Sequence, residues 1–123
     1  MLKLVFCLHR LPHLSRAEFQ RYWRETHGPL VQRHAAALRI RRYIQVHTLD
    51  DALQELLRAT RGGPEAYDGV AELWWDDRAA FEAVLADPAG QAAARELLED
   101  ERRFIDLARS PLFVAQERNV VGA

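Results

Sequence analysis

The apolar positions along the chain follow two periodicities, one typical of strands and one typical of helices. Apolar and β-branched residues dominate four segments, which we predict to be strands, at residues 2–9, 40–47, 69–75 and 112–117. Between them apolar residues recur at helical spacing, and Ser15 and Glu18 have the S-x-x-E spacing of a capping box at a helix start. The predicted order is strand, helix, strand, strand, helix, strand. This order is typical of a ferredoxin-like α+β fold, in which a four-stranded antiparallel sheet carries helices on one face.

The connection between the second and third predicted strands is too long for a simple hairpin. It contains Leu53, Leu56 and Leu57 at helical spacing and ends in a Gly-Gly-Pro sequence at residues 62–64. We therefore predict a single domain covering residues 1–123, with a helical insertion at about 50–64.

One face of such a sheet has no helices, and the first strand indicates that this face is not polar. Leu4, Phe6 and Leu8 have one parity. Val5 and Cys7 have the other, so the strand is apolar on both sides. A second copy of the chain is the simplest cover for an apolar sheet face. We therefore expect a homodimer in which two sheets pack face to face.

The second predicted strand separates polar from apolar side chains by parity. Tyr43, Gln45 and His47 share one face, whereas Ile44 and Val46 share the other. If the apolar face meets the partner subunit, the polar face is directed toward the helices and lines a cavity with residues of the first helix. We expect His47 there as a second catalytic histidine; the alternative is that it lies at a solvated rim, because it ends the strand.

The first helix carries the main candidate for chemistry. Phe19, Trp23 and His27 form one stripe, and Gly28 and Pro29 are expected to end or kink the helix directly after it and to open a gap beside the sheet. Imidazole has a reference pKa of about 6.5, so it can take and return a proton near neutral pH. We predict that His27 is the main proton-transfer group. The alternative is a structural histidine that bonds a free carbonyl at the helix end.

Two carboxylates lie where burial would require a partner. Glu101 shares a helical stripe with apolar residues and is expected either to orient His27 or to bind an arginine. Glu72 lies between apolar residues of the third strand, where we expect an ion pair with Arg41 or Arg42 across the hairpin. The predicted substrate-binding residues are Phe6, Trp23, Tyr43, Gln45 and Glu101.

Charge and composition narrow the classes of partner and cofactor. The 17 basic and 18 acidic residues are interspersed and give a net charge of −1, so the broad positive field that nucleic acid or an anionic membrane requires is missing. No histidine pair has metal-ligand spacing on a continuous helix and the glycines form no phosphate loop, so we predict no metal and no nucleotide cofactor. The single Cys7 permits no internal disulfide, and no secretory signal or apolar span is found, which favours the cytoplasm.

Several motifs resemble those of EthD-domain proteins. They are Lys3-Leu4-Val5-Phe6, then Ser15, Phe19, Trp23 and His27-Gly28-Pro29-Leu30, then Tyr43-Ile44-Gln45-Val46-His47, Tyr67-Asp68-Gly69-Val70-Ala71-Glu72-Leu73-Trp74 and Glu101-Arg102-Arg103-Phe104-Ile105-Asp106. The resemblance implies a dimeric α/β barrel built from two ferredoxin-like units. Relatives of that architecture include cofactor-free monooxygenases, polyketide cyclases, dehydratases and lactone isomerases. Related barrels also bind heme through one histidine, which stays an alternative to a site without a cofactor.

Two functions from different classes follow from these expectations. The first is an enzyme without metal or nucleotide that acts on a hydrophobic, aromatic or polyketide-like small molecule, by histidine-mediated proton transfer or by cofactor-independent oxidation. The second is a non-catalytic binding or accessory protein that holds a hydrophobic metabolite, with the histidines supplying only hydrogen bonds.

Overall fold

The computed structural model of the protein describes residues 1–122 and contains one four-stranded antiparallel sheet. The strands are β1 (Leu2–Leu8), β2 (Arg42–His47), β3 (Gly69–Trp75) and β4 (Leu112–Ala115). The helices are α1 (Arg16–Tyr22), α2 (Gly28–His34), α3 (Leu53–Arg61), α4 (Arg78–Ala86) and α5 (Pro88–Glu101). The strand order β2-β3-β1-β4 confirms the predicted ferredoxin-like α+β fold.

The helix-facing side of the sheet holds the main core of the molecule. Its fully buried side chains are Leu8 from β1, Phe19 from α1, Trp23 directly after α1, and Phe104. The parity predicted for β2 is confirmed, because Gln45 bonds the backbone of Trp23 and therefore faces the helices. Ile44 and its neighbours of the same parity face the opposite side.

The start of α1 forms as the sequence predicts. The Glu18 N–H donates to the Ser15 hydroxyl at 3.1 Å, and the Ser15 N–H donates to the Glu18 carboxylate at 2.9 Å. This reciprocal capping box satisfies two backbone donors that a helix start would otherwise leave free. It sets the phase of the stripe that carries Phe19 and Trp23 to the sheet.

Of the two alternatives expected at Gly28 and Pro29, an end or a kink of the helix, the end is wrong. A π-helical turn, Trp23–His27, joins α1 to α2, and the backbone at Gly28 stays in the right-handed helical region. Proline lacks an N–H and its ring clashes with the carbonyl four residues earlier, which a regular α-helix cannot accommodate. Here the Gly28 N–H donates to the Trp23 carbonyl, five residues back. This wider π-helical turn accommodates the proline, and the helix continues.

The last helix is also shorter than the sequence predicts, since Leu97, Phe104, Ile105 and Ala108 have helical spacing. Helix α5 ends at Glu101, and Phe104 and Ile105 follow in a turn, where both are buried. The carbonyl of Phe104 accepts from the Leu11 N–H at 3.0 Å, and Ile105 pairs with Arg10 as an isolated antiparallel bridge. These backbone contacts to the segment after β1 replace the next helical turn.

The other face of the sheet carries no helix and is largely apolar. It presents Val5 of β1, Ile44 and Val46 of β2, and Phe113 of β4; Val46 and Phe113 are 43% and 48% exposed. We call these four residues the open-face cluster. An apolar surface of this kind on an antiparallel sheet normally meets another protein surface.

The partner expected for Glu72 on this open face is wrong. Lys3, not Arg41 or Arg42, lies 3.1 Å from the Glu72 carboxylate. Arg42 instead stacks on Trp74, 4.7 Å from the ring centroid, and Arg41 lies 3.2 Å from Asp76. Lys3 and Glu72 are diagonal neighbours across the β1–β3 pair, within reach of a long lysine side chain.

The connection between β2 and β3 forms the helix α3 in the predicted insertion. Its leucines face away from the molecule, since Leu53, Leu56 and Leu57 are all exposed. No helix within residues 1–122 has the length and apolar character needed to cross a membrane.

Candidate active site

A cavity of about 180 Å³ lies between the sheet and the helices. Its wall is mainly apolar, with Leu4, Phe6 and Leu8 from β1, Ala71, Leu73 and Trp75 from β3, and Leu97 from α5 among the lining residues. Three titratable side chains reach it, those of His27, Tyr43 and Glu101. An apolar cavity with a few convergent polar groups is the usual form of a small-molecule site.

A second, wider depression on the molecule is a surface cleft and not a comparable site. It has a volume of about 660 Å³ and a polar wall that includes Arg10, Arg16 and Asp68. The buried Asp68 carboxylate accepts from Arg10 at 2.6 Å and from Arg16 at 3.0 Å. Two arginines of this cleft are therefore already paired, and they tie the segment after β1 to the start of β3.

The imidazole of His27 is positioned by a buried carboxylate. His27 is the last residue of the π-helical turn and is 5% exposed, and its Nδ1 lies 2.7 Å from Oδ2 of Asp100 in α5. Since a carboxylate only accepts, Nδ1 carries the hydrogen and Nε2 keeps its lone pair. The ring also packs against Phe104, with centroids 5.0 Å apart. His27 therefore meets the cavity as a fixed imidazole with a defined tautomer.

The ionisation of His27 and Asp100 follows from their surroundings. Burial lowers the pKa of His27 below 6.5, and the hydrogen bond and charge of Asp100 oppose this only in part. Burial alone would raise the pKa of Asp100, but hydrogen bonds from Tyr22, His27 and Arg103 outweigh it and hold the pKa below its usual value. The Tyr22 hydroxyl donates at 2.5 Å and the Arg103 guanidinium at 3.0 Å. Near pH 7 the pair is thus a neutral imidazole held by an anionic carboxylate.

Glu101 differs from its neighbour Asp100 in both contacts and charge. Its side chain lines the cavity, and no hydrogen bond or ion pair joins its carboxyl to any residue in the range 1–122. Burial, with a further contribution from the negative charge of Asp100, raises the pKa of Glu101 from 4.5 to about 7. A large fraction of Glu101 is therefore protonated at neutral pH.

The polar residues of β2 form a chain of hydrogen bonds beside the cavity. The Gln45 amide donates to the Trp23 carbonyl at 2.9 Å and to the Tyr43 hydroxyl at 3.0 Å, and its oxygen accepts from His47 Nε2 at 2.8 Å. The His47 ring stacks on the Trp23 indole, with centroids 4.5 Å apart. Burial raises the pKa of Tyr43 and lowers that of His47, to which the charge of Arg24 also contributes. This network orients Tyr43 and Trp23 toward the cavity wall.

The EthD domain model matches residues 11–108. The chain belongs to the EthD domain family. The matched span contains the π-helical turn, the β2 network and the α5 carboxylates, whereas the wall of the cavity that β1 forms lies before it.

Solved structures with this fold include other members of the EthD family. An EthD family protein from Bacillus halodurans is 18% identical, with a TM-score of 0.63 over 96% of this chain and 99% of that chain. A dimeric ferredoxin-like protein from Bacteroides fragilis is 8% identical, with a TM-score of 0.59 over 94% and 95%. SnoaB, a cofactor-independent oxygenase from Streptomyces nogalater, is 19% identical, with a TM-score of 0.54 over 99% and 97%. At these identities the likeness shows the fold. A search of curated protein sequences finds no significant match.

The site of this EthD chain brings together five of the seven residues expected from the sequence. Phe6, Trp23, His27, Tyr43 and Glu101 all line the cavity. Gln45 and His47 are not among its lining residues; they lie against Trp23, on the side where β2 ends. Trp23 reaches this position because Gly69 of β3 has no side chain, and a Cβ there would lie 2.4 Å from the Trp23 ring.

Asp100 is the site residue that the sequence interpretation missed. From the sequence, Glu101 is expected either to orient His27 or to bind an arginine. In the structure Asp100 makes both of these contacts, with His27 and with Arg103. A signal was present, because Ala93, Leu97, Asp100 and Phe104 recur at the four-three-four spacing of a buried stripe. One residue along a helix rotates the side chain by about 100°, which decides between facing His27 and facing the cavity.

No metal site is formed by the described residues. Across residues 1–122, no three His, Cys, Asp or Glu side chains form a group that could hold a metal ion. The polar side chains of the cavity, His27, Tyr43 and Glu101, are suited to proton transfer and to hydrogen bonding with a neutral oxygen atom.

Proposed function

We propose that this EthD-family chain is an enzyme that uses neither metal nor nucleotide and acts on a hydrophobic small molecule, with His27 as the group that accepts the substrate proton. One observation carries the proposal: His27 lines an apolar cavity while its Nδ1 donates a hydrogen bond to Oδ2 of Asp100 at 2.7 Å. That arrangement leaves the basic Nε2 as the nitrogen available to a ligand.

The charge state of His27 supports a role as a base. Burial lowers its pKa, so the imidazole is neutral at pH 7 and can take a proton. The Asp100 carboxylate then stabilises the imidazolium that forms, as a buried carboxylate does for a catalytic histidine in other acid–base sites. A positioned base of this kind contributes about 10²–10⁴-fold to a reaction rate.

The volume of the cavity favours a small aromatic or a short polyketide-like substrate. About 180 Å³ is slightly more than the ~150 Å³ of an apolar protein cavity known to bind benzene. Phe6, Trp23 and Tyr43 supply aromatic surface for such a ring.

Proton transfer and oxidation begin with the same step at this site. Removal of a proton by His27 leaves an enolate or phenolate, which can be reprotonated elsewhere, can attack a second carbonyl, or can donate an electron to dioxygen. The cofactor-independent oxygenase SnoaB has the same fold, which is consistent with the oxidative branch. His47 is proposed as a secondary group that acts through Gln45 and Trp23, because it contacts both.

A homodimer in the cytoplasm is part of the proposal. The open-face cluster requires a cover, and the ferredoxin-like protein from Bacteroides fragilis with this fold is dimeric. Two sheets packed face to face would bury the cluster and leave the cavity, on the helix side, in each subunit. The half-buried thiol of Cys7 is suited to a reducing compartment.

Deuterium exchange into a simple aryl ketone tests the proposed reaction without knowledge of the substrate. Acetophenone is a single-ring ketone of the size that a cavity of about 180 Å³ favours. Its methyl protons exchange slowly in neutral D₂O, so enzyme-dependent exchange can be followed by NMR. We expect exchange that His27→Ala lowers by at least about 10²-fold while folding is unchanged. His13→Ala, which removes an exposed histidine, is the matched control and should exchange as the parent does.

The same experiment separates the enzyme from a binding or accessory protein. Ligand binding with neither exchange nor dioxygen consumption over hours would favour the accessory function. Exchange that persists in His27→Ala would show that another group accepts the proton.

A further inference from the structure

Glu101 is the one cavity-lining carboxyl, and its position is set by the end of α5. Asp100, one residue earlier, is directed to His27, Tyr22 and Arg103. Glu101 is rotated away from that cluster and faces the apolar cavity. It has no protein partner among residues 1–122, so its carboxyl is available to a ligand.

The groups around Glu101 favour its neutral form. Asp100 next to it is anionic, because three donors hold its charge. His27 and Tyr43, the other titratable residues of the cavity wall, are both neutral at pH 7, since burial disfavours the imidazolium and the phenolate. Within residues 1–122, no lysine or arginine lines the cavity to stabilise the Glu101 carboxylate. An anionic neighbour and an apolar wall both disfavour a second negative charge.

We propose that the protonated Glu101 carboxyl donates a hydrogen bond to the oxygen of a neutral enolisable carbonyl substrate, whose acidic C–H is presented to His27. This inference rests on the proposed function, because it takes His27 as the base. It adds a proton donor to the base and defines the substrate class as neutral carbonyl compounds, with carboxylates excluded.

The two groups together balance the charges of enolisation. His27 Nε2 takes the proton from the α-carbon, and the C–H electron pair becomes the carbon–carbon π bond. The carbonyl π pair moves to oxygen, which takes the proton of Glu101. The products are a neutral enol, an imidazolium and a carboxylate, so no net charge is created in the cavity. The protons return by the reverse route in ketonisation.

The same arrangement predicts which ligands the cavity rejects. A carboxylate ligand would bring a negative charge into an apolar wall beside Asp100 and Glu101, with no cation to pair it. Once Glu101 ionises, it can no longer donate to a carbonyl oxygen and it repels anions more strongly. Affinity for a neutral ketone should therefore fall as the pH rises through about 7, the pKa of Glu101.

Three single-ring probes of similar size test this inference in binding alone. Acetophenone offers a carbonyl oxygen, ethylbenzene offers the shape without it, and benzoate carries a charge. Dissociation constants would be measured by NMR titration of the whole chain between pH 6 and pH 8.5. Burial lowers the pKa of His27, which favours its neutral form over this range. We expect acetophenone to bind at least about 5-fold more tightly at pH 6 than at pH 8.5, the fold-change of one neutral hydrogen bond. Ethylbenzene should show no such change.

Variants of Glu101 connect the pH dependence to this residue. Glu101→Gln keeps an N–H donor at every pH, so tight acetophenone binding should persist to pH 8.5. Glu101→Leu should bind ethylbenzene as the parent does and lose the preference for acetophenone. Glu99→Gln on the exposed face of α5 is the matched control and should behave as the parent.

Several results would overturn the inference. They are a pH dependence that persists in Glu101→Gln, an acetophenone preference that persists in Glu101→Leu, benzoate binding as tight as acetophenone binding, or no binding of either neutral probe at pH 6. Failure of the proposed function is a different result, namely exchange that does not depend on His27. Binding governed by Glu101 without His27-dependent exchange would retain the ligand class and reject the reaction.

Discussion

Nδ1 of His27 and Oδ2 of Asp100 lie 2.7 Å apart, although the two residues are 73 positions apart in the chain. The contact joins the π-helical turn to the last turn of α5. Both side chains are almost fully buried, and Tyr22 and Arg103 complete the hydrogen bonding of the carboxylate. A buried group with this many partners fixes both the orientation and the tautomer of the imidazole.

Replacing the Asp100 carboxylate should allow both neutral tautomers of the His27 imidazole. In Asp100→Asn the amide can donate as well as accept, so the Nδ1–H form is no longer the only one that is bonded. We expect ¹⁵N NMR of the imidazole to show an Nδ1-protonated ring in the parent and a mixture in the variant. Ketone exchange should fall at least about 10-fold, since the ring is less well positioned, and stability should fall by about 1–3 kcal/mol.

Glu99→Gln is the control for that change, because it removes a neighbouring exposed carboxylate of α5. Its imidazole spectrum and its exchange rate should match those of the parent. An unchanged spectrum in Asp100→Asn would mean that other contacts hold the ring.

Glu101 should make the stability of the protein fall with rising pH. Its pKa is about 7 in the folded chain against 4.5 in the unfolded one, so the folded state keeps a proton that the unfolded state releases. Below pH 4.5 both states are protonated and there is no effect. Between pH 4.5 and 7 the loss of stability grows, and above 7 it is complete, at about 3 kcal/mol.

Urea unfolding of the parent and of Glu101→Gln at pH 5 and pH 8.5 measures this effect. The contributions of all other groups cancel in the difference between the two proteins. We expect the variant to gain stability relative to the parent on going to pH 8.5. Parallel pH dependences would show that Glu101 ionises as freely in the folded chain as in the unfolded one.

A charge on the open face should break the proposed dimer. Ile44 lies directly opposite Glu72 in the β2–β3 pairing, so Ile44→Asp adds a carboxylate beside another one in the predicted contact. We expect the parent to sediment as a dimer at micromolar concentration, with a buried area of about 1,600 Å² or more, and the variant to sediment as a monomer or to aggregate.

Leu85→Asp on α4 is the control for surface charge, because Leu85 is exposed on the helix side. This variant should remain dimeric. A dimer that survives Ile44→Asp would place the contact elsewhere on the molecule.

Sequence reasoning is most reliable here where one local pattern determines the result. The parity of β2 and the capping box at Ser15 depend on neighbours within a few residues, and both are confirmed. The continuation of the helix through Pro29 was not predicted, because a π-helical turn depends on which backbone carbonyls also bond to other groups. The Trp23 carbonyl, for example, accepts from the Gln45 amide. The partner predicted for Glu72 was wrong for a similar reason. Lys3 and Arg42 both lie 4.7 Å from the centroid of the Trp74 ring, and Lys3 is the one that lies 3.1 Å from the Glu72 carboxylate, a contact that local spacing does not determine.

The site itself was predictable as a region and not as a set of roles. The stripe through Trp23 and His27 identifies one wall, because helical spacing is regular. The choice between Asp100 and Glu101 depends on the rotation of α5 about its axis, which long-range contacts such as the burial of Phe104 set. The spacing of the α5 stripe therefore favours Asp100 as the buried carboxylate, but it does not identify His27 as the partner of that carboxylate.

Gly69 should be required for the position of Trp23. A Cβ at residue 69 would lie 2.4 Å from the Trp23 ring and 2.9 Å from the Val46 carbonyl, so Gly69→Ala must displace the indole or part the β2–β3 pair. We expect a loss of about 1–3 kcal/mol in urea unfolding, typical of an overpacked core. The Trp23 indole and His47 ring resonances should also shift, since the two rings stack at 4.5 Å. Acetophenone binding should weaken because Trp23 forms part of the cavity wall.

Gly63→Ala is the matched control, since a Cβ there would have no heavy atom within 4 Å and the variant should behave as the parent. An unaltered stability and spectrum in Gly69→Ala would show that Trp23 has space to move, and that the wall between the cavity and His47 is not rigid.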